Sequence, residues 1–348
     1  HILHTLCVRI ASAVFGDPEW SLRLPALLAG LLSVPVLYGF CRRLTQSGHI
    51  AGTATLLLTI SPVHIAFSRQ ARGYTILLLL GMIHAWALLN AIWQRHVDAD
   101  PPDREWLPWV LAAGAGALAV LTLPSAAFLV GACAFAGAAL IGVDLPPDRR
   151  QAARRHMFLS TAFVIGVTAT IYVPHLDELY SHAERFGVPL SPTTWPGFVA
   201  DVWSHVGPQR LSLGIAVATA AGAGLLLAGR RGAGLYLLGG LCLPLVFSLG
   251  VATGGQPRVY VYLLPFICIA VAVAADAVQR RLQRYLPADS RWSPLLLTVI
   301  TVAPLAAAFG NLPAPANETG YRAAGRWVRE QTVPGDVIIA PYIVDSAI

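Results

Sequence analysis

Ten apolar runs, each close to the length that crosses a bilayer, divide this chain at 22–41, 49–67, 74–94, 107–123, 124–143, 157–174, 211–229, 233–251, 259–278 and 292–310. A helical crossing needs about 20 mostly apolar residues, and backbone groups in hydrocarbon must be satisfied within their own segment. The pattern predicts an all-α polytopic membrane protein with about ten spans, in which 107–143 is a hairpin broken near Pro124. Charged residues make up only 12% of the 348 positions, against roughly 25% in soluble proteins. Most of the chain therefore faces lipid or other helices.

The net charge of +6 comes from arginine, for the sequence contains no lysine. A basic chain can point to nucleic acid, but these arginines lie in short clusters between apolar runs, which positive-inside topology explains better. Nucleic acid is accordingly not an expected partner; the bilayer is. If sides alternate from the first span, one side receives tight pairs beside span ends, such as Arg42-Arg43, Arg149-Arg150, Arg154-Arg155, Arg230-Arg231 and Arg280-Arg281. The other receives scattered arginines, among them Arg9, Arg23, Arg69, Arg72, Arg185, Arg210 and Arg258. The paired side reads as cytoplasmic, so the chain reads as a multi-pass cytoplasmic (inner) membrane protein whose arginine-poor face is extracytoplasmic.

Three regions follow. Residues 1–21 hold an amphipathic helix, with Ile2, Leu3, Leu6, Ile10, Val14 and Phe15 at helical spacing, suited to lie along the outer interface. Residues 22–310 are the transmembrane bundle, with 175–210 as its longest polar loop. Residues 311–348 read as the start of a small extracytoplasmic α/β tail domain, continuing beyond Ile348 because one strand is not stable alone. Cys7, Cys41, Cys133, Cys242 and Cys268 show no metal or redox spacing, and no disulfide is expected.

Ser68-Arg69-Gln70-Ala71-Arg72-Gly73-Tyr74 sets two arginines between two spans on the arginine-poor side. A cation at that depth is costly without a partner or a task. Three residues apart, Arg69 and Arg72 would share a face on a continuing helix. They either snorkel to headgroups or bind an anion. Arg258, with Tyr260 and Tyr262, opens a later span on the same side, as an interface anchor or a second anion-binding group. Arg23 reads as a cap or a third cation. The outer acids Asp17, Glu19, Asp177, Glu178, Glu184 and Asp201 read as capping or solvated loop residues. His64 and His84 sit singly on apolar helices and read as packing residues. His175 and His182, with Asp177 and Glu178, loosely allow a divalent ion, but no metal spacing is met, and no cofactor is assigned.

Several of these stretches resemble the protein-mannosyltransferase-like glycosyltransferases, glycosyltransferase family 39 and its aminoarabinose-transferase relatives. Phe15-Gly16-Asp17-Pro18-Glu19-Trp20-Ser21-Leu22-Arg23-Leu24-Pro25-Ala26 is similar to the family's opening of the second membrane helix, and 61–74 to its "SPxxIxxSRxARxY" segment. Pro257-Arg258-Val259-Tyr260-Val261-Tyr262-Leu263-Leu264-Pro265 resembles its "RYxxxxxP" helix opening, and Gly335-Asp336-Val337-Ile338 the turn that starts its tail domain. The resemblance implies a GT-C helical bundle that moves a sugar from a polyprenyl-phosphate carrier, with inversion, to a hydroxyl of a lipid, glycan or protein at the extracytoplasmic face. It implies that Arg69, Arg72, Tyr74, Arg258 and Tyr260 hold the donor phosphate. It also implies a catalytic acidic residue in the first outer loop, expected upstream of His1. Where the family often has His-Pro-Pro, this chain has His1-Ile2-Leu3. The departing lipid phosphate gains negative charge as the glycosidic bond breaks, which fixed cations stabilise, and arginine forks onto phosphate oxygens. Two other readings remain: a polytopic transporter or lipid flippase without sugar-transfer chemistry, and an inactive scaffold homologue. The absence of an internal sequence repeat counts against a transporter built from duplicated halves.

Overall fold

A computed structural model describes residues 2–16, 19–97, 106–178, 180–181, 188–207, 212–251, 253–254, 256–285, 303–305 and 307. The chain divides into two compact units, His1–Gly310 and Asn311–Ile348. The expected tail domain, the run at 292–302, Asp17, His182 and Glu184 lie outside the described residues.

The described architecture is helical. Its helices are α1 (Ile2–Phe15), α2 (Glu19–Thr45), α3 (Gly48–Ile60), α4 (Pro62–Ser68), α5 (Tyr74–Val97), α6 (Leu107–Thr122), α7 (Ala126–Asp144) and α8 (Pro147–Tyr172), followed by α9 (Trp195–Val206), α10 (Ser212–Gly229), α11 (Arg231–Gly250) and α12 (Leu264–Gln283). A 3-10 segment, Pro257–Leu263, leads directly into α12. Among the described residues seven helices are long and apolar enough to cross a membrane, or eight if the bent pair α3–α4 counts as one crossing. The expected run at 49–67 is that pair, bent by 59° at Ser61-Pro62. Pro62 has no N–H for the ladder and pushes the preceding residue out of the α region. Ser61 is extended there (φ −63°, ψ 123°), and its hydroxyl caps the new helix at His64 N. The run at 107–123 is α6, of 16 residues, about 24 Å long at 1.5 Å per residue. The hairpin break falls at Leu123-Pro124-Ser125, as the proline suggested. The run at 157–174 begins earlier, at Pro147. Arg149, Arg150, Arg154 and Arg155 are thus on the first turns of α8, not in a loop.

Contacts between remote residues fix which helix ends lie together. At one end Trp93 (α5) donates to Asp144 Oδ2 (α7) at 3.1 Å. The guanidiniums of Arg43 (α2) and Arg230 lie 5.8 and 5.2 Å from the Trp93 ring, and Arg230 also donates to Leu44 O. His49, starting α3, approaches Asp276 near the end of α12 at 3.4 Å, and Arg280 pairs with the same carboxylate. This is the arginine-rich end. At the other, Tyr172 (end of α8) donates to Val120 O (end of α6) at 3.1 Å, and Thr75 (start of α5) to Ala26 O (start of α2) at 2.9 Å. The alternation inferred from arginine spacing is therefore realised in the packing.

Helices α5 and α12 are the most enclosed, while α8 lies at the edge with Phe158, Leu159, Phe163 and Ile165 exposed. Phe40, Tyr236 and Phe266 meet edge to face in the core, and Tyr236 donates to Ala85 O at 2.8 Å. Helix α1 packs on α2 and α6 and ends at Gly16, whose φ of 77° suits glycine. Its other face exposes Ile2, Leu6, Ile10 and Val14, four turns of one apolar stripe.

Helix α10 rests on α12 through Gly222, where an added Cβ would overlap the Ala270 carbonyl. The obstacle is backbone, so it cannot rotate away. Gly222→Ala is expected to destabilise the fold by about 1–3 kcal/mol. Gly224→Ala, two residues on with nothing within 4 Å, should be neutral. Thermal unfolding of the two variants in detergent checks the contrast.

Candidate functional site

Two of the sequence-predicted stretches stand on neighbouring elements at the arginine-poor end. The first is the turn between α4 and α5. Helix α4 stops at Ser68, with Arg69 as its C-cap (φ −96°, ψ −7°). Residues 69–73 are not helical, and Arg72 N donates back to Gln70 O at 2.8 Å. Arg69 and Arg72 therefore do not share a helix face, as the three-residue spacing had suggested; they sit on one short turn. Arg69 is exposed and Arg72 half-buried. Tyr74 opens α5 with its ring against Phe67, centroids 4.7 Å apart, and is only 4% exposed. It braces the two ends of the turn.

The turn is seated on α2 through Gly30. A Cβ there would meet Ser68 Oγ and come within 2.8 Å of Ser68 Cβ, while the Ser68 hydroxyl donates to His64 O at 2.7 Å. Only a glycine lets the last turn of α4, and so Arg69, lie this close to α2.

The second stretch is the 3-10 segment Pro257–Leu263, which carries Arg258, Tyr260 and Tyr262. It packs against α5, and the built Cβ of Gly81 lies 3.9 Å from Tyr262 Cβ. Both elements start at the arginine-poor end and run the same way. Tyr74 lies seven residues back from Gly81, about 10 Å at the α-helical rise. Arg258 lies four residues back from Tyr262, about 8 Å at the 3-10 rise. The Arg69–Tyr74 turn and Arg258 therefore stand at the same depth, on neighbouring elements. Arg258 is half-buried, and Tyr260 and Tyr262 are fully buried, their rings 5.7 Å apart.

The sequence reading took 175–210 as a polar loop, but part of it is ordered cover for this segment. Val188–Pro189 (β1) pairs antiparallel with Thr253–Gly254 (β2), just ahead of Arg258. Helix α9 buries Phe198, Val202 and Val206, and Phe198 meets Tyr260 edge to face at 5.5 Å. The signal was present as apolar residues at i, i+4 and i+8, hidden by the surrounding Pro, Trp and polar residues.

The other candidates stay apart. Arg23 pairs with Glu19 one turn earlier, the capping alternative. Glu178 faces His175 at 3.7 Å, and Asp177 and Asp201 are exposed. Asp201 O accepts from Ser204 Oγ at 2.8 Å and lies 2.9 Å from His205 Nδ1. His84 Nδ1 is 2.8 Å from Ala112 O, in keeping with a packing role. Among the described residues no three His, Cys, Asp or Glu side chains gather as metal ligands would.

Residues 2–173 match the sequence model of the dolichyl-phosphate-mannose-protein mannosyltransferase family. Over those residues the chain is similar to that family, and its fold is the GT-C fold. Among solved structures it is similar to ArnT from Cupriavidus metallidurans in the apo state, with TM-score 0.56 and 18% identity, covering 94% of this chain and 57% of that one. It is also similar to ArnT of the same organism bound to undecaprenyl phosphate (TM-score 0.55, 17% identity, 99% and 72%). A third similar structure is the apo oligosaccharyltransferase of Archaeoglobus fulgidus (TM-score 0.56, 17% identity, 96% and 50%). The chain thus spans between 50% and 72% of the length of these three structures. Among functionally curated proteins no sequence matches significantly.

The seating of α4 gives a direct test. Gly30→Ala is expected to lower the unfolding temperature, by a cost of about 1–3 kcal/mol. Adding Ser68→Gly, which removes the obstructing side chain, should restore most of the loss; an additive double variant would show that the two residues do not oppose each other.

Proposed function

We propose that the chain forms the membrane bundle of a glycosyltransferase that takes its sugar from a polyprenyl-phosphate carrier and passes it, with inversion, to a hydroxyl at the extracytoplasmic face. What supports this reading most is placement: the turn bearing Arg69 and Arg72 leads into α5, the segment bearing Arg258 packs on α5, and their starts lie at about the same depth at one end of the bundle. A lipid phosphate sits at just such a rim, its tail in hydrocarbon and its charge at the surface. Guanidinium groups there bind its oxygens with charge-assisted hydrogen bonds and stabilise the charge that grows on the phosphate as the sugar leaves. The likeness to a relative bound to undecaprenyl phosphate supports the same ligand class, as does the structure of an archaeal oligosaccharyltransferase in complex with a dolichol-phosphate.

Under this reading Arg69, Arg72 and Arg258 hold the phosphate, and Tyr74 and Tyr260 act mainly as packing that sets the arginines in place. No described acid is assigned as general base. Asp177, Glu178 and Asp201 are exposed, and a base must reach the acceptor hydroxyl beside the donor. The acceptor is a lipid, glycan or protein hydroxyl.

Arg69→Ala and Arg72→Ala are each expected to reduce transfer from a polyprenyl-phosphate sugar by about a hundredfold or more, while the protein still inserts into the membrane. Transfer assays on membranes of equal protein content check this; undiminished transfer in both variants removes the phosphate-binding assignment.

A further inference from the structure

We infer that Pro265 and Phe198 are positioning residues for Arg258: together they hold the segment carrying it in 3-10 geometry and so set where its guanidinium points. The inference rests on the phosphate-binding role proposed for Arg258.

The segment Pro257–Leu263 is 3-10 over seven residues, whereas runs beyond three or four are uncommon because their hydrogen bonds are poorer. Something outside the segment must favour it over the α-helix that follows. Pro265 is one cause. In a continuous α-helix the Val261 carbonyl would accept from the N–H of residue 265, which proline lacks. Here Leu264 N–H takes that carbonyl instead, the tighter 3-10 pattern.

Phe198 is the other. Its ring is 3% exposed and meets the ring of Tyr260, which is 0% exposed. Tyr260 in turn lies against Tyr262, so the aromatic chain spans the inner part of the segment. Helix α9 is held in place independently of that contact. The β1–β2 ladder ties the chain before it to the residues ahead of Arg258, and the Trp195 indole donates to Leu245 O near the end of α11 at 3.0 Å.

The consequence for Arg258 is large. It lies six residues before Leu264, where α12 begins. Converting those residues from 3-10 to α changes the turn from about 120° to about 100° per residue and the rise from about 2.0 to about 1.5 Å. Summed over six residues, Arg258 would swing about 120° around the axis and move about 3 Å. A guanidinium set by one geometry would therefore point to a different part of the rim in the other.

The test uses the full chain in detergent with undecaprenyl phosphate as probe. Pro265→Ala supplies the missing N–H, so its unfolding temperature should hold or rise while its Kd for undecaprenyl phosphate increases about tenfold. A merely structural proline would not separate stability from binding in this way. Phe198→Ala should weaken binding similarly, with Phe198→Leu in between. In an Arg258→Ala background none of these changes should weaken binding further. Unchanged Kd in Pro265→Ala and Phe198→Ala, or losses additive with Arg258→Ala, overturns the inference and leaves the proposed function standing. Failure of the unsubstituted chain to bind undecaprenyl phosphate overturns the proposed function, and this inference with it.

Discussion

A guanidinium that enters hydrocarbon costs about 2.5–3.5 kcal/mol at mid-membrane even by the mildest scale, and this cost orders the whole chain. Apart from Arg9, midway along the interfacial helix α1, the described arginines fall near helix ends or in the connections between them. At the arginine-rich end they are used to join helices. Trp93 has the guanidiniums of Arg43 and Arg230 near its ring and donates to Asp144, so that one node links α2, α5, α7 and the start of α11. Asp276 makes a second node with Arg280 and His49. Carboxylates from the protein answer the cations there. At the opposite rim Glu19 answers Arg23, but Arg69 caps α4 as an exposed side chain. The same rule of placement therefore yields a fastening at one end and a cationic rim at the other.

That rim is assembled by the two most enclosed helices. A site shared by residues 69–74 and 258 requires α5 and the 3-10 segment to run side by side in the same direction. Position 81 marks where they adjoin: an added Cβ would lie in ordinary contact, 3.9 Å, with Tyr262 Cβ, and would press on a Leu129 methyl of α7. Gly30 gives close seating to α4, the short helix after the sharp bend, which delivers Arg69 to the rim. Gly30 acts on the spacing between helices, far more than on chain flexibility.

Much of this was legible in the sequence, because hydrophobic length and arginine spacing are strong, long-range signals. The spans, the alternation of ends, the break at Pro124 and the two motif-bearing stretches all follow from them. What was misread depends on local competition between hydrogen bonds. Arg69 and Arg72 would share a face only on a continuing helix, yet Arg72 N bonds to Gln70 O and the helix has already ended. The start of α8 looked like a loop because Arg149, Arg150, Arg154 and Arg155 dilute its apolar signal, although their backbone is helical from Pro147 onward. Helix α9 was missed because only its Phe198, Val202 and Val206 face is buried, and a 12-residue helix leaves little pattern to read. The 3-10 opening of α12 had a visible cause in Pro265, but a proline near a helix start is usually unremarkable.

The interior also bears on whether such a bundle conducts or catalyses. Transporters place ionisable groups and broken helices at mid-membrane, where they line a path. Here many of the buried hydroxyls bond back into their own helix: Ser33 to Ala29 O, Thr45 to Cys41 O, Thr122 to Leu118 O and Thr219 to Ile215 O. Tyr236 spends its hydroxyl on Ala85 O, and His84 lies at hydrogen-bond distance from Ala112 O. Groups occupied in this way offer little to a solute passing between the two ends. The one sharp break among the described spans, at Ser61-Pro62, directs a helix toward the arginine-bearing turn. Helix-bound hydroxyls beneath an arginine-bearing rim suit a protein that works on a lipid headgroup at its surface better than one that carries cargo through its core.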